Sequence, residues 1–171
     1  HLARVGDIFE IFDNPLLQSV SALGQLQRVG GDLIIDSNQA LWSLRGLEGL
    51  EEVGEFLQIA NNASLGSLNG LLGLRQIGGL LQVYNNFALT NLAGLDSIDH
   101  QSIKHLALLS STNLTHCSVK SICDYLQNPA SYASINGNES GCNARQQILA
   151  ACEGEGLNSQ PRQLSELVLF P

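Results

Sequence analysis

The chain contains no methionine, a single tryptophan and only eight lysines and arginines in 171 residues. The missing Met, even at position 1, is expected of a processed product or a fragment of a longer chain. Few basic residues leave a net charge of −8, which argues against nonspecific binding to nucleic acid or anionic membrane, because both need a basic surface. No apolar run approaches the roughly 18 residues of a membrane span. Neither G-x-S-x-G, H-E-x-x-H nor a P-loop occurs, and the calcium-roll motif G-G-x-G-x-D is absent too, so no enzyme, metal or cofactor is expected. Charged residues make up 14% of the chain, against a typical share of about 25%. Disorder is nonetheless not expected, because a hydrophobic content of 44% can offset chain entropy.

What the chain has instead is 31 Leu, 17 Gly and 14 Asn, and they recur with a period of 24. Residues 31–54 read GDLIIDSNQALWSLRGLEGLEEVG, the next 24 read EFLQIANNASLGSLNGLLGLRQIG, and GLLQVYNNFALTNLAGLDSI follows. Phe9, Leu33, Leu57 and Leu81 form one column; Ile11, Ile35, Ile59 and Val83 form another. A third holds Asn14, Asn38, Asn62 and Asn86. After one inserted residue a fifth unit places Leu106, Leu108, Ser111, Leu114 and Cys117 in the same columns. His1 to Gly6 aligns with a repeat tail, so the chain is expected to enter in mid-repeat.

The pattern predicts a leucine-rich-repeat β-solenoid of about five 24-residue turns, with a parallel sheet on one face over residues 1–116. Each unit gives a short strand that buries alternate residues, then turns at an Asn that can satisfy backbone groups. Repeated at one offset, these Asn would stack into a ladder, with Ser111 an expected interruption. The unit-end glycines Gly6, Gly30, Gly54 and Gly78 suit a tight bend with positive φ. Because each unit contacts mainly its neighbours, the ends need caps.

All four cysteines fall within residues 117–152, which favours a disulfide-linked, partly helical C-terminal cap made in an oxidising compartment. Ser118 can cap a helix to about Leu126; Ser134 to Asn138 repeat the strand signature; Asn143, with Gln146, can cap a second helix ending near Cys152. Of the three pairings, Cys142 with Cys152 is disfavoured, because the intervening helix would hold them about 13 Å apart. Cys117 and Cys142 lie nine and seven residues beyond matched strand positions, which favours Cys117–Cys142 with Cys123–Cys152. A metal reading of C-x5-C with C-x9-C lacks the short paired spacing of zinc ribbons.

Repeats of this form followed by CSVKSICDYL, INGN, GC and a short helix ending in Cys resemble the receptor L-domain-like, leucine-rich-repeat surface proteins of Bacteroidetes bacteria. The resemblance covers about Val5 to Cys152. Residues 153–171 read as a linker and then LSELVLFP, which resembles the first strand of the C-terminal sorting domain of type IX secretion. Together these imply an exported, extracellular or outer-surface protein.

For chemistry the histidines His100, His105 and His116 make a metal site conceivable, but surface histidines in an irregular turn are far commoner. Asp32 and Asp36, with Glu10 one turn earlier, read as a solvated face rather than a cation site. Asn62-Ala63-Ser64, Asn113-Leu114-Thr115 and Asn138-Glu139-Ser140 match the glycosylation sequon, although the strand-end column accounts for Asn62 and Asn138. The better candidate is the outward strand face, whose rows carry Ile8, Asp32, Phe56, Leu80 and His105; Glu10, Ile34, Gln58, Gln82 and Ala107; and Phe12, Asp36, Ala60, Tyr84 and Leu109. Its apolar and aromatic members read as one contiguous patch, and such patches mark interaction surfaces. Ile34, Asp36, Phe56, Gln58, Leu80, Gln82 and Tyr84 are the candidate ligand contacts. The expected function is a noncatalytic binding or adhesion module for a protein, peptide or glycan, with self-association through the same face possible. A spacer or stalk displaying another domain is the alternative. Charge is uneven: residues 1–60 hold nine acids and three bases, net −6.

Overall fold

A computed structural model describes residues 2–156. The expected linker begins at 153, but a helix over Arg145–Gly154 extends into it; the rest of that segment beyond 156, with the sorting-domain-like strand expected near the C-terminus, lies outside the described residues. Strand pairs alternate along the chain: β1 (Arg4–Val5) and β2 (Phe9–Phe12), β3 (Arg28–Val29) and β4 (Leu33–Asp36), β5 (Glu52–Val53) and β6 (Leu57–Ala60), β7 (Gln76–Ile77) and β8 (Leu80–Tyr84). Next come β9 (His105–Leu109), helix α1 (Lys120–Gln127), β10 (Tyr132–Asn136) and helix α2 (Arg145–Gly154). The short strands form a four-stranded sheet ordered β1-β3-β5-β7, and the longer ones a six-stranded sheet ordered β10-β9-β8-β6-β4-β2, every pair parallel. Consecutive strands pair at an offset of 24 residues, as in Leu33 with Leu57. The single inserted residue makes the next step Leu81 with Leu106.

Three of the turns pass through short 3-10 helices, at Ser21–Leu23, Asn69–Leu71 and Ala93–Leu95, the last followed in the same turn by a second at His100–Ser102. The Leu columns meet in the interior: Leu33, Leu41, Leu44, Leu47 and Leu50 have no exposed surface, and neither do Leu57, Leu65, Leu68, Leu71 and Leu74. At roughly 1.5–3 kcal/mol for each fully buried side chain, this interior is the main force holding the turns together. One apolar cluster continues from the repeats into the helices, taking in Ile122, Tyr125, Leu126 and Ile148.

The Asn column forms a hydrogen-bonded ladder along the solenoid. The backbone N–H of Asn14 donates to Asn38 Oδ1, that of Asn38 to Asn62, and that of Asn62 to Asn86, at 3.1–3.2 Å. The side-chain amides point back a turn, so that Asn38, Asn62 and Asn86 donate to the carbonyls of Ile11, Ile35 and Ile59. Ser111 does not interrupt the ladder. Its Oγ accepts from the Asn86 N–H at 3.2 Å, and its own N–H donates to Asn138 Oδ1 at 3.0 Å. A hydroxyl supplies the acceptor as well as an amide does; it is too short to reach back, and donates instead to its own Leu109 carbonyl. The Asn138 N–H ends the series on Asn143 Oδ1.

The unit-end glycines work differently from the expectation. None of Gly6, Gly30, Gly54 and Gly78 has positive φ. What they provide is backbone contact: a Cβ on Gly54 would lie 2.0 Å from the Gly30 carbonyl oxygen, and one on Gly78 1.9 Å from that of Gly54. The left-handed positions that recur with the repeat are instead Asp13, Ser37, Asn61, Asn85, Ser110 and Gly137, each immediately before the ladder residue. Asn, Asp and Gly suit this backbone region best.

Cys117 is bonded to Cys142 and Cys123 to Cys152, with no free cysteine among the described residues. The helix caps differ from the sequence reading. Helix α1 starts at Lys120, and its first N–H donates to Asp96 Oδ1, 24 residues back, while the Ser118 hydroxyl donates to Glu155. Helix α2 starts at Arg145 without a side-chain cap; Asn143 is occupied by the ladder, and Gln147, not Gln146, folds back to accept from the Asn143 N–H. At α1 a contact from the preceding turn replaces the local cap, whereas at α2 Asn143 is taken up by Asn138, five residues before it. Arg145 ties the cap together, its guanidinium donating to the carbonyls of Leu126, Asn128 and Ser131 and to the Ser131 hydroxyl.

Candidate functional site

The outer face of the long sheet carries three rows of side chains fixed by the parallel register. The middle row runs Glu10, Ile34, Gln58, Gln82, Ala107 and Ser134. A second runs Phe12, Asp36, Ala60, Tyr84, Leu109 and Asn136. The third ends with Leu80, His105 and Tyr132. Ile8, Phe12, Phe56 and Tyr132 are well exposed, while Ile34, Gln58, Leu80, Gln82 and Tyr84 are half-buried.

Asp36 corrects the picture of a solvated acidic face. It is only 7% exposed, although its strand position points it outward. The carboxylate is covered by donors: the Ser37 hydroxyl and Asn61 Nδ2 at 2.8 Å on Oδ1, Gln58 Nε2 at 2.8 Å on Oδ2, and the Tyr84 hydroxyl at 3.5 Å. Asn85 Nδ2 donates to Asn61 Oδ1 at 2.9 Å, extending the network to the next turn. A carboxylate held by several donors needs no cation to balance its desolvation. Burial pushes the Tyr84 phenol above its ordinary value, and the Asp36 charge pushes it the same way. Asp32 is also engaged, its Oδ1 accepting from the Phe56 N–H at 3.0 Å.

The apolar patch is therefore not contiguous. Between Phe12 and Tyr84 the row dips into buried Asp36 and Ala60, so the exposed rings stand on either side of a hydrogen-bonded polar seam. Of the candidate contacts, Gln58, Gln82 and Tyr84 fall on the adjacent strands β6 and β8, with Phe56 just before β6, whereas Asp36 lies beneath its donors. Asn61 and Asn85 were missed as members of this face. Their signal was present in the Asn-Asn doublets at 61–62 and 85–86, where the first Asn takes the left-handed turn and aims its amide at the sheet while the second enters the ladder.

The three histidines do not converge. His100 sits in a 3-10 turn, His105 on β9 beside Tyr132, and His116 against Thr115. Among the described residues no group of three His, Cys, Asp or Glu can hold a metal ion. Asn62 and Asn138 are buried in the ladder, and Asn113 is exposed, with its amide donating to the Phe87 carbonyl. The two disulfides point to an oxidising, extracytoplasmic environment. No described helix is long and apolar enough to cross a membrane. No protein-family model, curated protein or solved structure matches the chain.

Proposed function

We propose that this chain is a noncatalytic binding module of the leucine-rich-repeat, receptor L-domain-like type, exported to the cell surface or beyond. The reading rests chiefly on one observation: the outer sheet face mixes exposed rings with amides at fixed spacing. Gln58, Gln82 and Tyr84 sit on the adjacent strands β6 and β8, with Phe56 immediately before β6, where a solvent-facing sheet is ordinarily polar. Rigid aromatic and amide groups on a stiff scaffold suit recognition, because little side-chain entropy is lost on contact. The resemblance of repeats plus cysteine cap supports the family assignment, and the disulfides support the compartment.

The test is an immobilised array of oligosaccharides and peptides probed with the whole chain and with Phe56→Ser/Gln82→Ala. Retention of a ligand by the first and its loss by the second is the expected result. A double variant that binds as well as the parent would remove the sheet face from the site. The spacer alternative draws on the unbroken ladder from Asn14 to Asn143, which makes the turns one continuous rod. It predicts no ligand in that array.

A further inference from the structure

At the cap end of the long sheet, the outer row ending in His105 and Tyr132 opens into a groove of about 510 Å3. His100 and Lys104 line it from the turn before β9, His105 and Tyr132 from the strands, and Asp124 and Asn128 from the region of α1. Its carboxylate is already engaged: Asp124 pairs with Lys120, with His100 Nδ1 at 3.9 Å. By contrast, among the described residues the Lys104 ammonium meets no carboxylate, and the His105 ring has only the Tyr132 ring beside it, centroids 5.1 Å apart. Tyr132 is 65% exposed, so a large part of its ring is free for contact.

The walls are fixed independently of any ligand. The Tyr125 hydroxyl bridges the Lys104 and Tyr132 carbonyls at 3.1 and 2.7 Å. On the opposite side Arg145 holds Leu126, Asn128 and Ser131. A cation and an imidazole with donors to spare beside an exposed ring, on prebuilt walls, form a site for an anion attached to something that stacks. Although the whole chain is acidic, the excess lies in residues 1–60, which carry net −6. At physiological salt such fields fade over about 8 Å.

We propose that this groove binds an acidic saccharide, its carboxylate or sulfate held by Lys104 and His105 and a sugar ring lying against Tyr132. A saccharide fits better than an acidic peptide. The lining offers the Gln101 amide and Asn128 Nδ2, which pair with sugar hydroxyls, while Ile103 is buried and offers little apolar surface to peptide side chains. This site continues the row of Leu80 toward the cap, but Lys104, His105 and Tyr132 are not among the sheet-face candidate contacts, so either reading can fail without the other.

Isothermal titration of the whole chain with hexagalacturonate and with a heparin-derived hexasaccharide tests it, the two arms separating carboxylate from sulfate. Cellohexaose and hexaglutamate serve as the neutral and peptide comparisons. At least one acidic sugar is expected to bind, with both comparisons about tenfold weaker or more. Lys104→Gln/His105→Gln is expected to weaken that sugar about tenfold, and Tyr132→Ala about fivefold, while Leu16→Ser, at an exposed position outside both the groove and the sheet-face contacts, leaves it unchanged. Near-UV dichroism checks that each variant keeps the fold. Binding of neither acidic sugar, equal binding of cellohexaose or hexaglutamate, or full affinity in the folded Lys104/His105 variant would overturn the proposal.

Discussion

The first turn and the second are built from the same columns yet are packed differently. Phe9, Ile11, Leu17 and Leu23 are half-buried, whereas their counterparts Leu33, Ile35, Leu41 and Leu47 have no exposed surface. Strand β2 lies at the edge of its sheet, with a neighbour on one side only. Backbone conformation is nevertheless alike, with Asp13 and Ser37 both left-handed at φ 54° and 59°. Column identity sets the local fold, and the number of adjacent turns sets how much each residue stabilises. At the other end the cap replaces a next turn with different chemistry: two helices, two disulfides and one guanidinium.

The largest effect is expected at that cap. Removing the Cys123–Cys152 bond by Cys123→Ser/Cys152→Ser frees a 29-residue separation and is expected to cost about 3–4 kcal/mol in denaturant unfolding. Serine in a first-turn position such as Ala22, which is exposed, should leave the midpoint within about 0.5 kcal/mol. A cap variant as stable as the parent would show that the helices close the core without their staples. Next comes the ladder. Asn62→Ala deprives the buried Asn38 N–H and Ile35 carbonyl of their partners, for an expected loss of about 3 kcal/mol. Asn14→Ala, whose amide donates to Phe12 in solvent, should cost about 0.5–1 kcal/mol. Equal losses would mean that the rungs do not depend on burial. A smaller contrast separates two glycines of one column. Gly54→Ala forces a Cβ to within 2.0 Å of the Gly30 carbonyl oxygen and should cost about 2 kcal/mol, while Gly6→Ala meets nothing within 4 Å and should be neutral or slightly stabilising.

These contrasts show what the sequence could carry. Period, strand positions, buried columns and the Asn ladder were legible because one residue per column repeats a single physical need. The strand at Ser134 to Asn138 was legible for the same reason, and the cysteine pairing followed from stacking matched positions. What escaped were contacts between turns that no local pattern announces. Asp96 caps a helix 24 residues later, and Arg145 reaches carbonyls 14 to 19 residues before it. Gly54 reads like a bend residue until the Gly30 carbonyl is placed against it. Asp36 reads as a surface acid, because the donors that bury it come from Gln58, Asn61 and Tyr84, on other turns.

The smallest expected effect separates the sheet face from the cap through their tyrosines. Burial raises both Tyr84 and Tyr125 above the usual 10.0, but the second influence differs: the Asp36 charge raises Tyr84 further, whereas the Arg145 charge lowers Tyr125. A phenol whose folded value is raised holds its proton more firmly folded than unfolded. Its contribution is therefore complete below pH 10 and is lost as pH climbs through the folded value. Asp36→Asn removes the charge but leaves the burial, so Tyr84 should titrate lower while remaining above its unfolded value, and Tyr125 should not move. Ultraviolet titration of the parent and Asp36→Asn, each with and without Tyr84→Phe so that the difference isolates the Tyr84 signal, reads the change directly. An unchanged Tyr84 would mean that the 3.5 Å approach to Asp36 is too weakly coupled to matter, leaving burial alone to set the face's electrostatics.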